Sequence, residues 1–436
     1  MEVMEVSKME TLLDDTLLSV LQYVGNKDLL HCRVVCRRWR DLITHPDIWK
    51  CRSIGGGLLR LNPPSCRELS LKSWELRWFG FLASTTSTPA PCLSLHPDSD
   101  LQAVLCAVII RHHASLGRLK KIAILDGDIF SDECLMTSAG LSELLCSIRS
   151  VEGLTCLHIS IDIKRVKFDP AARSYLDFPP PSLRKLAYYS KKKALLEVLL
   201  QMYASSLREV QLYDELIITK KLAHLLVKVE HLETLQCRLF NGMELLLSSR
   251  TLKSILLHVW LEEEISPAHS SAMSFLRSAT HLKRVQLDFY FDWNPDAWVI
   301  GLVKALAESG RSKVSSFVID MRDDADFSSK DIGGCLPNLP YLQTLELLSS
   351  VSSSVLCAIQ PHTAPKLTEL IVWEVQGCPS CNWSKVCDML LLNPHLKFTV
   401  KSTKRKPSCD SCKTVGREGF PKTVFRMSSQ NVHKRL

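Results

Sequence analysis

The residues best suited to chemistry lie toward the end of the chain. Cys378-x-x-Cys381 and Cys409-x-x-Cys412 are separated by 27 residues, and four thiolates are a donor set for tetrahedral structural zinc. The usual gap between such pairs is about 15–20 residues. Here the interval carries a helical pattern over Trp383–Leu392 and a strand pattern over Leu396–Val400. Unligated thiols are therefore the expectation, and no metal is assigned to Cys378, Cys381, Cys409 or Cys412. His112-His113 closes an apolar helical stretch, where a histidine pair meets the negative end of the helix dipole. Gly55-Gly56-Gly57 is not followed by Lys-Ser/Thr, so it reads as a flexible joint and not as a phosphate loop. Neither a G-x-S-x-G elbow nor an H-E-x-x-H pair occurs. A cysteine nucleophile needs a base beside it in space, which spacing along a chain does not supply. The expectation is a protein with no catalytic residues and no cofactor.

What must position any site is a chain of 436 residues, too long for one ordinary compact core. Hydrophobic residues make up 46% and charged residues 23%, which excludes wholesale disorder. The 17 cysteines cannot all pair, and the start MEVMEVSKME has no apolar core of a secretion signal. The longest apolar stretch, Leu101–Ile110, is far short of the roughly 20 residues that cross a bilayer. A soluble intracellular protein with reduced thiols and no membrane partner is expected. The charge of +8 sits in the tail: Lys401–Leu436 holds ten of the 54 basic and two of the 46 acidic residues, leaving 44 of each before it. A neutral body lacks the spread positive face of a nucleic-acid-binding domain and suits protein contacts.

Residues 11–50 have the pattern of three short helices. Leu12, Leu17, Leu18, Val20, Leu21 and Val24 recur at helical spacing behind Asp14 and Asp15. Gly25 suits a helix end and Asn26 the next N-cap. A second helix carries Leu29, Leu30, Val34, Val35 and Cys36, and a third carries Trp39, Leu42 and Ile43 before Pro46. Three helices of this size cannot hide so many apolar groups among themselves, so a partner must cover the surplus.

Leu12-Leu13-Asp14, Asp28-Leu29-Leu30, Val34-Val35-Cys36-Arg37-Arg38-Trp39-Arg40 and Ile48-Trp49 resemble the F-box motif. One departure is Leu13, where the family usually has proline, a residue that preorganises a helix start. The resemblance implies docking on the Skp adaptor of a Skp–cullin–F-box ubiquitin ligase. By position, Leu12, Leu13, Leu17, Leu21, Val24, Leu29, Val34, Val35, Cys36 and Trp39 would supply the contacts. Ubiquitin transfer would then come from the recruited cullin–RING ligase core.

A second grammar fills residues 60–400. The pattern L-x-x-L-x-L, with other apolar residues allowed, starts at Cys66, Leu119, Leu154, Leu183, Leu207, Leu232, Leu252, Leu282, Val314, Leu342 and Leu367. Alternation inside each hexad predicts a short strand; helical patterns over Ala194–Tyr203, Lys220–Val229, Met273–Ser278 and Val299–Glu308 fall between them. This resembles a leucine-rich-repeat domain, and with the F-box it resembles the F-box/leucine-rich-repeat substrate receptors. The usual asparagine or cysteine eight residues after the first leucine is absent; those slots hold Asp162, Lys191, Glu215, Phe240, Trp260, Tyr290, Arg322, Ser350 and Val375. Ala83–Asp100 is Ser/Thr/Pro-rich and reads as a loop without strand or helix.

The expected fold is α/β, a three-helix F-box followed by an irregular leucine-rich-repeat solenoid. Its parts are residues 8–52 (F-box), 53–100 (junction), 101–400 (repeats) and 401–436 (a basic, disordered tail). Alternate strand positions would form the recognition surface for an unidentified protein target, with Tyr189, Gln211, Tyr213, Arg238, His258, Arg284, Asp288 and Trp373 as its candidates. Phe240, Trp260 and Tyr290 are either filler of the vacant asparagine slot or an exposed aromatic patch. Lys401–Pro407 resembles a nuclear localisation cluster, so cytoplasm and nucleus are the expected compartments. The expected role is substrate recognition for the ligase; the rival is a leucine-rich-repeat scaffold that delivers no ubiquitin.

Overall fold

A computed structural model describes residues 12–61, 63–125, 136–161, 182–212, 218–260, 266–290, 296–321, 326–327, 332–375, 386, 388–401 and 425–427. Two compact units follow one another along the chain, Met1–Leu207 and Arg208–Leu436. Cys378, Cys381, Cys409, Cys412 and Tyr213, and the slots of Asp162, Glu215 and Arg322, lie outside the described residues.

The first unit opens with four helices where the periodicity predicts three: α1 (Asp14–Leu21), α2 (Asn26–Cys32), α3 (Arg37–Ile43) and a single turn, α4 (Pro46–Trp49). Pro46 occupies the first turn of α4, where its missing N–H costs nothing. Gly25, expected to end α1, is instead the extended N-cap of α2. The Asn26 side chain is thereby free to donate to the Ser53 carbonyl at 2.9 Å. Leu17, Leu21, Leu29, Ile43, Ile48 and Trp49 form the core of the module.

After the helices come β1 (Ser53–Ile54), β2 (Glu68–Leu71), α5 (Ser73–Thr85), β3 (Cys92–Leu95), α6 (Asp100–Ser115), β4 (Lys121–Leu125), α7 (Ser138–Arg149), β5 (Cys156–Ser160), β6 (Lys185–Tyr188) and α8 (Lys193–Tyr203). The strands pair in parallel with hexad positions in register, so Leu69, Leu93, Ile122, Leu157 and Leu186 form one buried column. Parallel strands need a crossover between them, which α5, α6 and α7 supply from β2 to β5. The glycine run is no flexible joint. A Cβ on Gly55 would sit 2.7 Å from Glu75 Oε1, and one on Gly56 would sit 2.8 Å from Phe79, so the glycines admit α5 against this turn. Nor is residues 83–100 a patternless loop, because it contains β3. Ala90-Pro91-Cys92-Leu93-Ser94-Leu95 is a hexad whose first slot is alanine, buried like the leucines elsewhere.

The second unit runs β7 (Glu209–Leu212), α9 (Lys220–Val227), β8 (Thr234–Arg238), β9 (Ser254–Trp260), α10 (Pro267–Ser278), β10 (Arg284–Tyr290), α11 (Asp296–Glu308), β11 (Ser316–Met321), β12 (Asp326–Phe327), α12 (Ile332–Cys335), β13 (Thr344–Val351), α13 (Ser353–Ala358), β14 (Glu369–Val375), β15 (Lys397–Val400) and β16 (Phe425–Met427). Val210, Leu235, Ile255, Val285, Phe317, Leu345, Leu370 and Phe398 align as its buried column. Each unit is thus a solenoid-like α/β stack. The shortest repeat, Leu232 to Leu252, has room only for a 3₁₀ turn at Met243–Ser248 in place of an α-helix. In the expected disordered tail, β16 pairs antiparallel with β15 and covers an otherwise open strand edge.

All eleven hexads begin a strand two residues after their first apolar residue. A backbone ladder fixes most of these starts: one carbonyl just before the strand accepts two successive N–H groups of the next repeat, although Pro91 ahead of β3 has no N–H to donate. Lys120 O takes Thr155 N and Cys156 N at 2.8 and 3.1 Å, and Lys253 O takes Lys283 N and Arg284 N at 2.7 and 3.1 Å. The repeat is therefore held in register without the missing asparagines.

Candidate functional site

Two surfaces of the described residues concentrate groups suited to recognition. One is the helical module. Its three deepest leucines, Leu17, Leu21 and Leu29, are fully buried, so they hold the module together and do not reach a partner. This corrects their assignment as docking contacts; helical periodicity marks both the inward and the outward apolar stripes and does not tell them apart. Leu13 (77% exposed), Val34 (79%) and Val35 (62%) stand in solvent with Cys36, while Leu12, Val24 and Trp39 are half-buried. Val20 and Leu30 join this exposed apolar set.

Polar ties hold that face in shape. Arg38 Nε donates to Asp14 Oδ1 at 2.8 Å, joining α3 to the start of α1. The Arg52 guanidinium donates to the Ile48 and Leu21 carbonyls at 2.8 Å and to Asn26 Oδ1 at 2.9 Å. Arg52 thus satisfies helix-end carbonyls of α1 and α4 together. Its position past the last helix gives no sequence signal of this role. Cys36 caps α3 by accepting from Trp39 N at 3.5 Å.

The other surface lies on β8, β9 and β10. Parallel register sets Arg238 beside His258, His258 beside Asp288, and Trp260 beside Tyr290. His258 and Asp288 are 4% and 2% exposed. Gln236 Nε2 donates to His258 Nε2 at 2.9 Å, which puts the ring proton of a neutral imidazole on Nδ1. That nitrogen faces Asp288 Oδ2 at 3.6 Å and the Tyr290 hydroxyl at 3.2 Å. Gln286 Nε2 donates to Asp288 Oδ1 at 2.8 Å. Both ring nitrogens of His258 are therefore occupied, and the hydroxyl at Nδ1 is the Tyr290 phenol, not the serine, threonine or cysteine of a hydrolytic triad. Trp260 stacks on Tyr290 at 4.5 Å with planes 4° apart, and the Arg238 guanidinium lies 5.9 Å from the Trp260 ring centre. The buried network acts as a rigid floor, and Trp260, 42% exposed, offers the contact area.

The structure therefore brings Arg238, His258 and Asp288 together and adds Trp260, Tyr290 and Gln236. The asparagine-slot aromatics divide: Phe240 is buried filler, whereas Trp260 and Tyr290 form the stack. Gln211 is tied to Glu209 Oε1 at 2.8 Å on β7, Arg284 is exposed at the start of β10, and Trp373 is exposed on β14. Tyr189 belongs to the first unit, its ring 4.9 Å from that of His158. His112 and His113 fall in the last turn of α6, as expected; burial, with His112 alongside, pushes the His113 imidazole down to about 4. No cluster of three or more His, Cys, Asp or Glu suited to a metal ion occurs among the described residues. No described helix is long and apolar enough to cross a membrane.

Residues 10–51 match the F-box domain family, which makes this helical module an F-box domain. No curated protein matches the chain. Among solved structures, the chain is similar to one in the crystal structure of the Rad7 and Elc1 complex in yeast. The two are 15% identical with a TM-score of 0.37, over 85% of this chain and 90% of that one.

Proposed function

We propose that the chain is the substrate-recognition adaptor of a Skp–cullin–F-box ubiquitin ligase, with no catalytic activity of its own. The observation that carries this reading is an F-box domain whose Leu13, Val34 and Val35 remain exposed above a complete internal core. Docking of the Skp adaptor on this face would remove the apolar groups from water. In this reading the strand–helix array is an irregular leucine-rich repeat. Its Arg238–Trp260–Tyr290 stack, set over the His258–Asp288 floor, meets the target protein. Ubiquitin transfer then gains from proximity, since a tethered target presents its lysines at high effective concentration to the conjugating enzyme. The basic cluster after Lys401 gives the chain access to the nucleus as well as the cytoplasm.

Co-expression with the Skp adaptor is the direct test, and the expected result is a stable complex that also recruits cullin. Val34→Glu with Val35→Glu should abolish that complex while leaving thermal unfolding unchanged, because both side chains are already in water. A wild-type chain that elutes without the adaptor, or a double variant that binds as well as wild type, would overturn the proposal.

A further inference from the structure

The backbone ladder of the first unit also lays out a row of cations. Arg67, Lys120 and Arg184 immediately precede β2, β4 and β6. Each donates its N–H to a carbonyl of the preceding repeat, Arg52 at 2.8 Å, Pro91 at 2.9 Å and Thr155 at 3.0 Å. Pro91 and Thr155 hold the same slot ahead of β3 and β5, so a cation stands on every second strand. Neighbouring strands are about 4.8 Å apart, which makes the cations recur about every 9.5 Å. All three are exposed, and Lys121 and Lys185 follow in one register line. Of the acids at this edge, Glu68 accepts from the Ser53 hydroxyl at 2.8 Å, and Glu152 is exposed in the turn ahead of β5. Among the described residues, Arg67, Lys120, Lys121 and Arg184 form no ion pair.

The corresponding edge of the second unit is built differently. Glu233 takes Arg208 at 3.7 Å and Lys253 at 3.4 Å, and Glu369 takes Lys397 at 2.6 Å. Arg208, Lys253 and Lys397 of that edge are thus paired with acids, whereas among the described residues Arg67, Lys120, Lys121 and Arg184 are not.

We propose that the open edge binds an acidic polypeptide segment in the polyproline II conformation, with a carboxylate at every third position. That helix has three residues per turn and rises about 3.1 Å per residue, so same-face side chains recur about every 9.3 Å. Arg67, Lys120 and Arg184 span about 19 Å, the reach of three such carboxylates over roughly seven residues. A β-strand ligand presents a given face about every 6.7 Å, and nucleic-acid phosphates recur about every 3.4 Å along a strand; neither step matches. This surface is independent of F-box docking and goes beyond the adaptor reading.

The test uses the full-length chain and fluorescence anisotropy of a labelled peptide of repeated Glu-Pro-Pro triplets. One competitor peptide has the same composition with its glutamates consecutive; a second competitor is oligothymidylate of equal charge. The triplet peptide should bind at low salt, weaken as salt rises, and prevail over both competitors by several-fold. Lys120→Glu with Arg184→Glu should weaken it by about tenfold or more, with an unchanged melting profile. Lys253→Glu with Lys283→Glu, which changes net charge equally in the second unit, should leave it unaffected. Absence of binding at low salt, equal loss in the second pair, or binding by the clustered peptide or oligothymidylate at least as tight as by the triplets would overturn the proposal. Because the adaptor is absent from this assay, its outcome is separate from that of the F-box test.

Discussion

The F-box face and the β8–β10 cluster solve opposite problems. In the helical module the buried groups are apolar and so are Leu13, Val34 and Val35 on its surface, so in the proposed reading water itself drives docking. In the cluster the buried groups are His258 and Asp288, and hydrogen bonds with Gln236, Gln286 and Tyr290 help offset their desolvation. The first surface therefore tolerates imprecise contact, whereas the second is fixed in geometry and suited to selection. In the proposed reading, general attachment and specific choice fall to different chemistry in the two units.

Substitutions separate these designs, beginning with the largest expected loss. Leu17→Ala should destabilise the F-box module by about 3 kcal/mol, because it opens a cavity at a fully buried site. Chemical denaturation followed by Trp39 and Trp49 fluorescence reads this, and an effect below about 1 kcal/mol would contradict the internal-core assignment.

Acid should weaken the first unit to a comparable extent. The His113 imidazole is held down to about 4, against an ordinary value of 6.5, by burial. The unfolded chain thus binds a proton between these values that the folded one refuses. Stability is complete above about pH 6.5 and falls as pH drops toward 4, by roughly 3 kcal/mol in all. His113→Leu should flatten that slope in melting curves recorded across the range, while a slope equal to wild type would show that another group is responsible.

Asp288→Ala should cost the second unit about 2 kcal/mol, since it strands the Gln286 amide and removes the carboxylate beside His258. Tyr290→Phe should cost about 1 kcal/mol, losing one hydrogen bond to His258 while preserving the stack on Trp260. Hydrogen exchange of β9 and β10 amides distinguishes the two; equal protection in both variants would mean the hydroxyl matters as much as the carboxylate. Val34→Glu is expected at the bottom of the series, within about 0.5 kcal/mol of wild type in stability, although it removes an anchor of the docking face.

Much of this was legible from residue types. Each of the eleven hexads became a strand, and α8, α9, α10 and α11 fell on the helical patterns predicted for them. The misses share a cause. β3 carries no leucine signal because Ala90 fills the first slot of its hexad, although a small residue packs there as completely. Gly55 and Gly56 suggested flexibility, but they allow α5 to approach closely, a demand visible only when Glu75 and Phe79 are opposite them. Arg52 has no motif, and its role appears only when three helix ends converge on it.

The sequence by itself determined the eleven hexad strands, the helices α8 to α11 and the F-box pattern, because alternation and helical spacing are local properties of a few consecutive residues. Only the tertiary structure decided which apolar residues of that module face outward, that Trp260 stacks on Tyr290 while Phe240 is buried, and that Arg67, Lys120 and Arg184 line one edge. Those facts depend on partners brought into register across tens of residues, and no short window of sequence contains both members of such a pair.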